Sequence, residues 1–309
     1  MRGARVAAVW AAIVLASGLV VGRGSAHAAT LTDMLGRQVA VPEGPLRLVS
    51  LAPSLTEIVF ALGRGDWLVG VTEFCDYPPA ARSRPKVGGT ATPNAERIVQ
   101  LRPSLVLITA DGNPLHTVAR LGELGLPVFA VTPESLPGIL TSIQVLGRVL
   151  RADGAAAGLV QGIQDRVAAV RRAVQGRPRP RVLYLVWPDP LVAAGPGTFV
   201  NDLLEVAGGE NIVRERTVPY PHLGWEEVVG RAPEVILVSA HRDQDRPAAG
   251  GSALRTTWSR WQSIPAVRSG RILEVPSDTI LRPGPRVVEG LEELARAIHP
   301  EAFARGEAR

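Results

Sequence analysis

Short, mainly apolar runs alternate with amphipathic stretches along most of this chain. Residues 46–51, 68–72, 105–109 and 127–131 are mainly apolar runs of strand length, the first carrying Arg47 and Ser50. That pattern marks strands buried on both faces, as in a parallel sheet. Between them, residues 54–62, 95–101 and 114–124 carry helix-length patterns with helix punctuation. Ser54 and Glu57 have capping-box spacing, Gly63 stops the first helix, and Pro103 closes the second. A second alternation begins at Arg181. Strands are predicted at 182–186, 235–239 and 272–275, and helices at 198–206, 225–229 and 285–298, the last with Pro285 at its start. This βα alternation predicts two small α/β lobes with mainly parallel sheets.

Between the two series, Ala156, Leu159, Ile163, Val167, Val170 and Val174 recur at three or four residues, which is one face of a helix. From Asp153, as N-cap, to Gln175 this helix would span about 34 Å at ~1.5 Å per residue, ended by Gly176 and Pro178. The chain therefore divides into a signal segment 1–28, an N-terminal lobe 29–136, connecting helices 137–178 including one long rigid inter-lobe helix, and a C-terminal lobe 179–309. An internal repeat supports two like lobes. Residues 96–108 align with 226–238: each copy has a glutamate, a short apolar helix, a proline seven residues on, and an apolar strand. Glu96 and Glu226 thus stand in the first turn of equivalent helices. Acids there complement the helix dipole. As a matched pair, one per lobe, they also suit a two-fold partner carrying arginines.

Arg2 and Arg5 precede an uncharged run from 6 to 21, and Ala26-His27-Ala28 offers a small-x-small site. Together they predict a cleaved secretory signal and a periplasmic protein. Losing residues 1–28 removes Arg2, Arg5 and Arg23 and no acid, so the net charge falls from +5 to +2. No basic tract of the nucleic-acid-binding kind remains. Cys75 is the only cysteine, so intrachain disulfides and cysteine-built metal sites are excluded, and a buried inert thiol is expected. Enzyme motifs are absent: there is no G-x-S-x-G, H-E-x-x-H or P-loop. Gly195-Pro196-Gly197 reads as a turn. His116, His222 and His241 are scattered without metal spacing. No catalysis, no cofactor and no bound metal are expected.

In open α/β sheets, ligands sit beyond the carboxyl ends of the strands. Phe74, Asp76 and Tyr77 follow the second strand. Trp187 follows the first strand of the second lobe, and Tyr220, His222 and Trp225 precede its short helix. Asp278 and Arg282 follow the last strand. Facing lobes would bring these into one cleft suited to a large, flat, partly apolar ligand.

Several segments carry a resemblance. They are Ser50-Leu51-Ala52-Pro53-Ser54-Leu55-Thr56-Glu57, Cys75-Asp76-Tyr77-Pro78-Pro79 and Asn94-Ala95-Glu96-Arg97-Ile98-Val99 with Leu101-Arg102-Pro103. Trp187-Pro188-Asp189-Pro190, Gly197-Thr198-Phe199, Ala207-Gly208-Gly209-Glu210-Asn211-Ile212, Ser277-Asp278 and Pro285-Arg286 continue it. Over about residues 45–300 the chain resembles the periplasmic cobalamin-binding proteins, within the helical-backbone class that also holds heme and ferric-siderophore receptors. The resemblance implies a class III periplasmic binding protein-like fold that closes little on its ligand. It implies a corrinoid ligand, carried as cargo and not as a cofactor, and a monomer that delivers it to the permease dimer of an inner-membrane ABC importer. Glu96 and Glu226 match the glutamates that salt-bridge permease arginines. Phe74 matches a ligand-lining tyrosine, and Asp278, Thr279, Ile280, Leu281 and Arg282 match a ligand-contacting segment. Tyr77, Trp187 and Tyr220 complete the expected ligand set. Thr90, Thr109 and Thr279 stand where the best-known cobalamin receptor has tryptophans, so the aromatic lining is thinner or has moved to Trp187, Tyr220 and Trp225. Heme is the nearest rival ligand, with Tyr220 or His222 as axial group. A ferric siderophore is third, with Arg282 meeting an anionic chelate.

Overall fold

The computed structural model describes residues 28–110, 112–215, 218–240 and 256–304. The expected signal segment up to residue 27, and His241, lie outside the described residues. A hairpin of β1 (Ala28–Thr32) and β2 (Gln38–Pro42) opens the described chain. The first lobe holds β3 (Leu48–Ser50), α1 (Pro53–Ala61), β4 (Leu68–Val71), α2 (Ala95–Gln100), β5 (Leu105–Thr109), α3 (Leu115–Glu123) and β6 (Val128–Val131). Its sheet has the order β4-β3-β5-β6, parallel throughout. Helices α4 (Leu136–Val149) and α5 (Asp153–Val174) follow.

The second lobe holds β7 (Arg181–Pro188), β8 (Leu191–Ala193), α6 (Phe199–Val206), β9 (Glu210–Asn211), α7 (Trp225–Arg231) and β10 (Val235–Ala240). It continues with α8 (Pro265–Arg268), β11 (Ile272–Pro276), α9 (Ser277–Ile280), α10 (Val287–Ile298) and α11 (Pro300–Phe303). The sheet order is β11-β10-β7-β8, with β9 also on β7; only β8 runs antiparallel.

Successive strand side chains point to opposite faces, and this builds three cores. Leu105 and Leu107 of β5 join the same cluster as Val235 and Leu237 of β10, and that cluster runs through α4, α5 and α10. Val106 and Ile108 enter a core on the outer face of the first sheet. Ile236 and Val238 enter one on the outer face of the second. The two lobes therefore share one continuous apolar core through the connecting helices. Helix α5, 22 residues long and hence about 33 Å, buries Ala156, Val160, Ile163, Val167 and Val170, while Leu159 and Val174 are only half-buried. Arg166 ties α5 to α10 through a two-pronged pair with Glu292, at 2.8 and 3.1 Å.

The repeat is a physical one. Arg102 (φ 48°) and Ala232 (φ 46°), six residues after the matched glutamates, both adopt the left-handed conformation. Ser104 and Glu234, two residues on, donate their amides to the carbonyls of Arg47 and Arg181. Both copies thus make the same sharp turn from helix into central strand.

Two expected caps are not formed. Helix α1 starts at Pro53, which needs no amide partner at the first turn. Its N-cap is Ala52 with no side-chain bond, so Ser54 and Glu57 make no capping box. Asp153 is the first residue of α5 and not its N-cap, which is Ala152. The last long helix begins at Val287, not at Pro285.

Candidate functional site

The carboxyl ends of both parallel sheets face each other, and an ionic cluster spans them. From the first lobe come Glu57 on α1 and Asp76 on the loop after β4. Asp278 on α9, Arg282 and Arg286 come from the second. The Glu57 carboxylate accepts from Arg286 at 2.8 Å (Nε) and 2.6 Å (Nη2), a fork-to-fork pair. Arg282 Nη1 donates to Asp76 at 2.6 Å and reaches Glu57 at 3.5 Å, while its Nη2 lies 2.9 Å from Asp278. Arg286 also stacks over the Tyr77 ring, 4.0 Å from its centroid. Glu57 is 2% exposed and the two arginines 14% and 17%. Burial alone would raise the Asp76 carboxyl, but Arg282, with help from Arg286, outweighs it and holds Asp76 below the usual carboxylate range. Burial opposes charge on Arg286 as well, yet Glu57 keeps it firmly protonated. The lobes approach closely here: a Cβ on Gly284 would meet Ser54 backbone at 3.3 Å.

Among the described residues, the exposed large aromatics are Phe74, Tyr77 and Tyr220, at 59%, 43% and 40%. Phe74 and Tyr77 flank Asp76 in the first lobe. In the second lobe Trp187 is the penultimate residue of β7, half-buried, with its indole N–H on the Asp189 carbonyl at 2.8 Å. The segment holding Tyr220 runs beside β8, where Val192 bridges His222 and Leu223 donates to Leu191. Beneath it, the buried Tyr184 hydroxyl bonds Ser239 at 2.8 Å. Burial pushes that hydroxyl far up, Ser239 opposes this, and Tyr220 and Glu293 add to the rise. Asn113, buried at the end of β5, donates to the carbonyls of Leu51 and Thr90 and fixes the Thr90 loop at the cleft side of the first sheet.

The segment 278–282 does not present all its side chains. Ile280 is fully buried in the shared core, and Thr279 is 8% exposed with its hydroxyl on Glu293 at 2.8 Å. Asp278, Leu281 and Arg282 remain half-buried at the surface. Trp225 is drawn away from the aromatic set into the second lobe's own packing. It stacks on Trp261 at 5.2 Å and meets the edge of Trp258 at 4.8 Å. Cys75 is buried, as expected, 3.2 Å from the Thr56 hydroxyl and 3.1 Å from that of Thr72. His299 is buried against the Gly208 carbonyl. Among the described residues, no group of three or more His, Cys, Asp or Glu is placed to hold a metal, and no helix is long and apolar enough to cross a membrane.

Glu96 and Glu226 are both exposed in the first turns of α2 and α7, and no ion pair engages either among the described residues. Their neighbours behave otherwise: Glu227 pairs with Arg231 at 2.6 Å. Sequence reasoning missed Glu57 as an inter-lobe residue. Its signal, a carboxylate with a buried helix face around it, was absorbed by the capping-box pattern.

The family model described as periplasmic binding protein matches residues 48–279. A vitamin B12-binding protein of Vibrio vulnificus is 30% identical over 260 residues, covering 83% of this chain and 91% of that protein. The crystal structure of the periplasmic vitamin B12-binding protein BtuF of Vibrio cholerae superposes with a TM-score of 0.73 at 28% identity, covering 84% and 99%. The apo periplasmic heme-binding protein RhuT of Roseiflexus sp. RS-1 superposes equally well, with a TM-score of 0.73 at 29% identity, covering 84% and 100%. Proteins of this kind bind a solute without transforming it and work with the permease and ATPase components of an ABC transporter. With the family model spanning both sheets and the connecting helices, the chain belongs to the periplasmic binding protein family.

Proposed function

We propose that this protein captures cobalamin, or a related corrinoid, between its lobes and hands it to an ABC importer permease dimer in the inner membrane. The observation that carries the reading is the placement of exposed aromatics. Phe74, Tyr77 and Tyr220 are exposed, and Tyr77 lies under Arg286 of the ionic cluster that joins the lobes. Flat side chains beside a charged floor suit a large ring with polar arms. Trp187, Asp278, Leu281 and Arg282 complete the surface offered to it. The names of the relatives at 30% identity point to the same cargo. Export by a cleaved signal, followed by function as a monomer, belongs to the same proposal.

A second reading, heme, is favoured by the equal structural likeness to a heme-binding protein and by the exposure of the Tyr220 side chain. Titrating the purified mature protein with cyanocobalamin, hemin and a ferric hydroxamate separates the two. One-to-one cyanocobalamin binding by calorimetry, with weak hemin and hydroxamate, is the expected result. A shifted hemin Soret band with no cobalamin heat would overturn the corrinoid assignment.

A further inference from the structure

Tyr77 belongs to the first lobe, and the cation stacked on its ring comes from the second. The Arg286 guanidinium carbon lies 4.0 Å from the ring centroid. That guanidinium is fixed in place. Its Nε and Nη2 fork onto Glu57 at 2.8 and 2.6 Å, and Nη2 also donates to the Asp278 carbonyl at 3.3 Å. The Glu57 side chain is 2% exposed and that of Arg286 14%, so water competes little for the pair. Tyr77 itself is 43% exposed. With one face on the guanidinium, its exposed area lies on the side away from Arg286. Phe74, the other exposed aromatic of the first lobe, meets no ring or guanidinium among the described residues. A ring already held in its bound geometry gives up less rotamer freedom when a ligand stacks on it. A flat aromatic face also suits a large conjugated ring.

We infer that Arg286, locked by Glu57, is a positioning residue that holds the Tyr77 ring as a preformed stacking platform for the flat face of the ligand. This rests on the cleft being the ligand site, as proposed above. Arg286 acts through the ring and not by touching the ligand. The platform takes its ring from one lobe and its cation from the other, so it is complete only at the lobe spacing seen here. The core shared through the connecting helices keeps that spacing before any ligand arrives. Arg286→Lys separates the two functions of the cation: it keeps the charge that Glu57 faces but loses the planar fork and the stacking surface.

The chain has three tyrosines, Tyr77, Tyr184 and Tyr220, so the full mature chain labelled with 3-fluorotyrosine gives three fluorine resonances. The one missing from Tyr77→Leu belongs to Tyr77, while Tyr184, buried with its hydroxyl on Ser239, reports the fold. Without ligand, the Tyr77 resonance is expected well away from its position in urea, and saturating cyanocobalamin should move it again. Arg286→Lys should bring the ligand-free resonance towards the urea position and leave Tyr184 unmoved. Calorimetry should then show cyanocobalamin binding about fivefold more weakly, as losing a cation–π contact at a half-exposed ring implies. In a Tyr77→Leu background the same Arg286→Lys change should weaken binding by less than about twofold. A Tyr77 resonance that stays in place on ligand binding or in Arg286→Lys would overturn the inference. So would an equal loss of affinity in both backgrounds. The ligand-induced shift is read on the unaltered sequence, so it decides even where Arg286→Lys unfolds. If hemin binds in place of cyanocobalamin, the corrinoid reading falls and the two-background comparison is made with hemin. If neither binds, the cleft reading falls and takes the platform with it.

Discussion

Glu57 meets Arg286 across 229 residues of chain, and both are largely withdrawn from water. Truncating one partner of such a pair strands the other charge in a poorly solvated site. Glu57→Ala is therefore expected to cost about 3–5 kcal/mol of stability, read from urea unfolding, while the Arg286 side chain loses its order. Asp76 gives the cluster a pH signature. Its folded pKa lies below the unfolded value near ~3.9, since Arg282 outweighs burial. The stabilisation is complete above the unfolded pKa and disappears as pH falls through the folded one. Melting temperatures of wild type and Asp76→Asn should differ at pH 6 and converge below about pH 4. A constant gap across that range would show that the Asp76–Arg282 contact adds nothing. Neither pairing was legible in the sequence, which shows each residue type but not which distant partner it meets. Ser54 and Glu57 had the right spacing for a local cap, and the tertiary partner prevailed because a buried guanidinium gains more from a carboxylate than an exposed amide does.

Among the elements, the two repeat units were readable because they are local. A short apolar helix, a turn before proline and a buried strand leave their mark within thirteen residues. Their shared strain was not readable, because neither Arg102 nor Ala232 is a glycine. At φ 46°, Ala232 sits where an L side chain crowds the following carbonyl. Ala232→Gly should relieve this and raise stability by up to about 1 kcal/mol, tempered by the larger entropy of glycine in the unfolded chain. A fall in the urea midpoint would mean that Ala232 contributes packing beyond its backbone. Helix α5 followed its apolar period closely, whereas α4 and the β1–β2 hairpin had no comparable signal. A hairpin that docks only one face exposes as many residues as it buries, as Gln38–Pro42 does.

Across the whole molecule, the shared core through α4, α5 and α10 resists independent motion of the lobes. Small-angle scattering should give the same radius of gyration with and without ligand; clear compaction would indicate a hinge that this core does not suggest. The docking role proposed for the paired glutamates belongs to this scale too. Glu96 and Glu226 are exposed and without ion pairs among the described residues, as a docking surface for a two-fold, arginine-bearing partner requires. Reversing both charges should abolish uptake through the importer while calorimetry shows unchanged ligand affinity. Normal uptake by that double variant would remove the docking role.

The sequence alone determined the α/β alternation, the two like lobes, the long connector and the matched glutamates. Each of these is written in spacings of two, three or four residues, or in a direct repeat, and hydrophobic periodicity dictates such features locally. The tertiary structure decided which candidate side chains reach solvent: it buried Ile280, packed Trp225 against Trp258 and Trp261, and joined Arg282 to three carboxylates. Those outcomes depend on how two sheets, built from residues 48–131 and 181–276, face each other. Burial and charge pairing are set by that approach, and no local pattern encodes it.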